Sequence, residues 1–213
     1  MKRIISVFIV CSFTASLPVT ADEVKGNVGI VSDYVFRGIS QTDNKPALQG
    51  GADYNHQSGL YAGAWATNVD IPGSDAKARV DLYGGYKMKL SSGWGFEAGL
   101  IAYTFLSESR DNFWEIYAGA SLGPWSAKIY HDPDDNDDYL QGAWNADIGS
   151  GIKVSLGAGH WFRARQEDYT DVMMGVSKNF AGLDLGLTFT DSTQKPSSDL
   201  NRSILALSAK YVF

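Results

Sequence analysis

The sequence predicts an all-β chain folded as a transmembrane antiparallel up-and-down β-barrel, most simply of twelve strands, with ten as the nearest alternative. Three observations carry this. Segments of about ten residues alternate apolar and polar side chains, the length and period that cross a bilayer when tilted. The connections alternate between short and long. Beyond the N-terminus no stretch approaches the roughly 18 apolar residues that a spanning helix needs.

The N-terminus reads as an export signal. Lys2 and Arg3 precede the apolar run Ile4–Phe13, and Val19-Thr20-Ala21 forms a small-residue cleavage site. Val10 before Cys11 does not fit a lipoprotein signal. The expected organisation is a signal peptide over 1–21 and a single barrel domain over 22–213. Cleavage would remove the only cysteine, Cys11, and make the formal charge two units more negative than the −6 of the full chain. A cysteine-free exported domain has no disulfide to stabilise it. Aromatics at 13% and 23 glycines in a moderately polar chain suit a sheet with one apolar and one polar face, in a sandwich as well as in a barrel.

The last strand is the clearest. Leu205, Leu207, Ala209, Tyr211 and Phe213 share one face and end on an aromatic, a pattern resembling the signal that outer-membrane barrels offer their assembly machinery. Upstream, Leu183-Leu185-Leu187-Phe189, Val172-Met174-Val176, Ile152-Val154-Leu156-Ala158 and Leu140-Gly142-Trp144-Ala146-Ile148 repeat the alternation. Seven earlier strands are expected near 27–39, 46–56, 60–70, 79–89, 94–106, 113–122 and 125–131. In the strand at 60–70 either Leu60-Ala62-Ala64-Ala66 or Tyr61-Trp65-Val69 could face lipid. Five short turns fall at 57–59, 91–93, 123–124, 149–151 and 179–182. Six longer links fall near 41–45, 71–78, 107–112, 132–138, 163–168 and 191–201. An even-stranded barrel with both termini on the periplasmic side requires that alternation, whereas a sandwich does not. Trp94, Trp114, Trp125, Tyr211 and Phe213 lie near strand ends, where interfacial girdles form.

The segments GNVGIVSDYVFRGISQTDNKPALQGGADY and SGLYAGAWATNVD, most specifically SDYVFRGISQT and KPALQGG, resemble the TorF-type porin family. This is a set of conserved proteobacterial proteins of unknown function, also called Gcw_chp. The resemblance covers the whole mature chain and implies an outer-membrane barrel and a pore. It carries no catalytic residues over.

On the expected faces, the lumen receives the acids Asp33, Asp53, Asp81, Glu97, Glu115, Asp147, Asp171 and Asp184. It also receives the bases Arg37, Arg79, Lys87, Lys128, Lys153, Arg202 and Lys210. A barrel tuned to acidic oligosaccharides should show a basic excess, because rings of like charge set selectivity. The near balance suits paired interior networks, an ion-filtering eyelet, or both. Arg37 stands four residues from Asp33, so on a continuous strand both would share a face as a lumen salt bridge or a constriction arginine.

Other chemistries find little. The run Asp132–Asp138 lacks the Gly and Glu of an EF-hand loop, which leaves a solvated loop or a looser cation contact with lipopolysaccharide. His56 is expected near the periplasmic end, His131 and His160 near the outer end. His160 falls in the lipid-facing set, where a lipid hydrolase would want it, but the serines show no nucleophile motif. No cofactor, metal or enzyme activity is expected, and the acidic chain has no basic patch for nucleic acid. The leading expectation is passive diffusion of small solutes through a narrow polar lumen. The alternatives are a non-conducting structural or surface-interaction barrel and a lipid-modifying enzyme. Expected partners are outer-membrane lipid, lipopolysaccharide and the assembly machinery.

Overall fold

In hydrocarbon no water can satisfy a sheet edge, so a membrane sheet must close on itself. The computed structural model describes residues 22–108, 112–194 and 203–213, and its principal sheet is closed. The chain order is β1 (Glu23–Val31), β2 (Val35–Phe36), β3 (Ile39–Ser40), β4 (Ala47–Asn55), β5 (Leu60–Asn68), β6 (Ala78–Lys89), β7 (Trp94–Leu106), β8 (Phe113–Leu122), β9 (Trp125–Asp132), β10 (Asp137–Asp147), β11 (Ile152–Phe162), β12 (Tyr169–Phe180), β13 (Leu183–Ser192) and β14 (Ile204–Val212). Twelve of these form the ring, each antiparallel to its chain neighbour, and β14 returns to β1. The pair β2–β3 is a separate two-stranded hairpin. The seam runs from Asn27 opposite Val212 to Val31 opposite Ser208, and Gly26 and Phe213 exchange backbone hydrogen bonds of 2.8 and 2.9 Å.

The expected faces are observed. Leu205, Leu207, Tyr211 and Phe213 point outward and stay exposed, as do Val172, Met174, Val176, Leu183, Leu185 and Leu187. In β5 the small side chains decide the ambiguity. Leu60, Ala62 and Ala66 turn out, and Trp65 and Val69 are buried inside. Asp81, Glu115, Asp171 and Asp184 are also interior and buried. An exterior of exposed leucines around an interior of buried carboxylates inverts a water-soluble protein. Soluble monomers rarely expose apolar patches above a few hundred Å². Among the described residues no helix is long and apolar enough to cross a membrane.

Both described ends lie where the short turns are, at 56–59, 90–93, 123–124, 148–151 and 181–182. Outward aromatics cluster there. Trp94 stacks on Phe96 at 6.0 Å, Tyr211 on Phe213 at 6.0 Å, and Trp125 meets Trp144 at 6.5 Å. Trp114 and Phe162 are exposed near the opposite, long-loop end. The link at 133–136 is shorter than expected. Asp132 Oδ1 tightens it by accepting the backbone N–H groups of Asp134 and Asp135.

Candidate functional site in the barrel interior

Interior glycines and tyrosines interlock. A Cβ at Gly63 would lie 2.5 Å from the Tyr83 ring, and one at Gly159 would collide with the Tyr139 phenol. Missing side chains on one strand thus seat rings from the next, the small-against-large packing of a narrow barrel.

The strand expected over 27–39 does not continue past Val31, and this is the main correction. At Ser32 the chain leaves the wall. Ser32 N–H donates to the Leu207 carbonyl at 2.8 Å, and its Oγ accepts from Leu207 N–H at 2.9 Å. Residues 33–42 then fold into the barrel. Asp33, buried at the root, accepts from Ser40 Oγ at 2.6 Å and Thr42 Oγ1 at 3.1 Å. Tyr34 N–H donates to Thr42 Oγ1 at 3.0 Å, and Gln41 N–H donates to the Tyr34 carbonyl at 2.7 Å. Asp33 therefore braces the hairpin and does not pair with Arg37.

The tip Arg37-Gly38 has φ of 48° and 81°, the left-handed pair that closes a two-residue hairpin. It reaches a distant part of the wall. A Cβ on Gly38 would stand 2.7 Å from the Cβ atoms of both Asp171 on β12 and Ser192 on β13. Arg37 is not a wall residue; it hangs inside the lumen. Its Nη1 and Nη2 donate to Oε1 and Oε2 of Glu115, both at 2.7 Å. Glu115 also accepts from Tyr103 Oη at 3.0 Å. The guanidinium carbon lies 4.1 Å from the ring centroid of Tyr139, 4.6 Å from Trp161, 4.9 Å from Phe36 and 5.1 Å from Tyr130. Tyr139 in turn donates to Asp171 at 2.9 Å.

A second arginine repeats the arrangement on the wall. Arg79 Nη2 donates to Asp81 at 2.9 Å, with its guanidinium 4.5 Å from the Phe36 ring and 5.0 Å from Tyr103. Phe36 is thereby shared by two cations. Tyr34, Trp65, Tyr103 and Phe105 bury around it, so the long-loop half of the lumen is packed. Breaking a buried, bidentate pair leaves an uncompensated charge and costs about 3–5 kcal/mol.

The short-turn half is less deeply buried and of mixed charge. Asp53 accepts from Tyr83, Lys87 donates to Asn55, Glu97 pairs with Lys128, and Asp184 accepts from Asn179 at 2.8 Å. Lys153 and Lys210 are half-buried on inward positions. Asp147 departs from expectation. It is exposed at the rim, where its Oδ1 caps Gly149 N–H at 2.9 Å. Arg202 and the expected signal peptide lie outside the described residues. At the exposed long-loop end, hydrogen bonds from Lys45 hold the Asp70 carboxyl below its ordinary range, and the same bonds to Asp70 and Asp43 raise Lys45.

His160 faces outward and hydrogen-bonds Thr170 Oγ1 at 2.8 Å. Among the described residues no group of three or more His, Cys, Asp or Glu side chains could hold a metal ion. The sequence reading missed the in-folded hairpin. Arg37-Gly38 flanked by Phe36 and Ile39 was the available signal, a two-residue turn inside an apparent strand.

Solved structures share this architecture at low identity. The KdgM porin aligns with a TM-score of 0.60 and 8% identity, covering 91% of this chain and 99% of its own. The NanC porin aligns at 0.61 and 11%, covering 89% and 98%. The Acinetobacter baumannii outer membrane protein Omp33 aligns at 0.51 and 10%, covering 91% and 98%. Such likeness concerns the fold. No curated protein sequence matches the chain. The family model for a bacterial protein of unknown function, Gcw_chp, matches residues 15–212, and the chain belongs to that family.

Proposed function

We propose that this protein is a narrow outer-membrane pore for passive diffusion of small solutes, with its bore set by the hairpin at 33–42. One observation carries the reading: a closed ring, greasy outside, encloses acidic and basic side chains from Arg37 to Lys210. The porins among its structural neighbours support it. On this reading the short turns face the periplasm and the long loops face outward. Phe213 and the outward residues before it serve recognition by the assembly machinery, and the outer rim contacts lipopolysaccharide. The reading asks no catalysis of His160 or any other residue. Mixed interior charge implies weak ion selectivity, since among the described residues no ring of one sign is present.

The packed outer half favours one alternative, a barrel that never conducts. Planar-bilayer recording separates the two. The wild type should give small unitary steps, and replacing residues 33–45 by a short Gly-Ser link should enlarge them several-fold. Silence from both folded proteins would overturn the pore.

A further inference from the structure

Arg37 belongs to a loop, yet the wall holds it as it would hold a bound molecule. Both Nη atoms meet Glu115 at 2.7 Å, and the guanidinium lies within 5.1 Å of the Tyr139, Trp161 and Tyr130 ring centroids. Glu115, Tyr130, Tyr139 and Trp161 sit on four successive wall strands, β8 to β11. Their rings form a continuous series, with Tyr130 to Tyr139 and Tyr139 to Trp161 both at 6.1 Å. Strand pairing fixes the backbone positions of these four residues independently of the hairpin. A carboxylate that accepts a planar fork, backed by aromatic faces away from water, selects a guanidinium over a compact ammonium.

We propose that Glu115, Tyr130, Tyr139 and Trp161 form a binding site for guanidinium-bearing solutes, and that Arg37 is its built-in competitor. The assignment rests on the pore reading, in which a solute meets this site on its way through. A free guanidinium group takes the place of the Arg37 side chain, and the hairpin loses its hold on the wall. Ligand that binds only the vacated site shifts the population toward the withdrawn hairpin. A tethered group competes at an effective concentration on the order of millimolar. Binding to the wild type is therefore weak, and weak binding lets a solute leave as well as enter.

Calorimetric titration of the folded, detergent-solubilised protein tests this, with agmatine as the guanidinium probe and putrescine as its ammonium counterpart at matched ionic strength. Agmatine should bind Arg37→Ala at least tenfold tighter than wild type, and putrescine should bind that variant at least tenfold more weakly than agmatine does. The double variant Arg37→Ala/Glu115→Gln, which removes both charges of the pair together, should lose agmatine binding. Heat-dependent gel mobility verifies that each barrel is folded, and Arg37→Gln replaces Arg37→Ala if the latter is not. Three results would each overturn the site: no gain on removing Arg37, retention in the double variant, or parity with putrescine. Bilayer conductance of the same preparations keeps the two ideas apart. Silence with agmatine binding intact removes the pore reading and leaves the site, whereas currents without binding remove the site alone.

Discussion

Among single residues, Glu115 has the largest expected effect. It neutralises Arg37 where water does not reach, so Glu115→Gln leaves a buried cation with half its partner and should loosen the hairpin by about 3–5 kcal/mol. Trypsin reports this directly, because Arg37 is a cleavage site only when the hairpin is out. The wild type should resist cutting there and Glu115→Gln should be cut; equal resistance would show that the pair does not hold the loop. The pair is deeply buried, whereas Lys45 and Asp70 are exposed, so salt should weaken only the latter contact. Gly159→Ala acts on the same receptacle from behind. Its new Cβ collides with the Tyr139 phenol and should cost about 1–3 kcal/mol, read as a lower urea midpoint.

The in-folded hairpin depends on Gly38. A β-branched side chain there meets both a left-handed backbone and two wall Cβ atoms at 2.7 Å, so Gly38→Val should unseat the tip and raise unitary conductance. Unchanged conductance would mean that the hairpin does not set the bore. At the closing seam the Phe213 ring lies over Gly26, where a Cβ would come within 2.5 Å of it. Phe213→Ala should therefore slow formation of the heat-modifiable barrel. The strands themselves were legible, because period-two alternation is a local property of each segment. The hairpin was not. Val35, Phe36 and Ile39 are as apolar as any wall residue; Arg37-Gly38 marks a turn, but only the long-range contacts of Arg37 with β8 to β11 show that the hairpin folds inward.

At the scale of the whole molecule the charge pattern was partly readable. Strand parity put Asp81, Glu115, Asp171 and Asp184 inside, as observed, because one wrong register would have turned them to lipid. Parity did not supply their partners, which range from Arg79 on the same strand as Asp81 to Arg37 on the in-folded hairpin for Glu115, nor did it reveal that Asp147 falls at the rim. The near balance of interior acids and bases predicts a reversal potential close to zero in a potassium chloride gradient. Strong preference for either ion would point to an unpaired ring of one sign.

The hairpin also constrains the order of events during biogenesis. Its roots lie between β1 and β4, but Gly38 rests on β12 and β13, almost the last strands to be made. Seating must therefore wait for the C-terminal part of the chain, because the surfaces that receive the tip do not exist before β12 and β13 are in place. The strap is thus the last part of the throat to be furnished, although its two roots are among the first parts of the chain to be made.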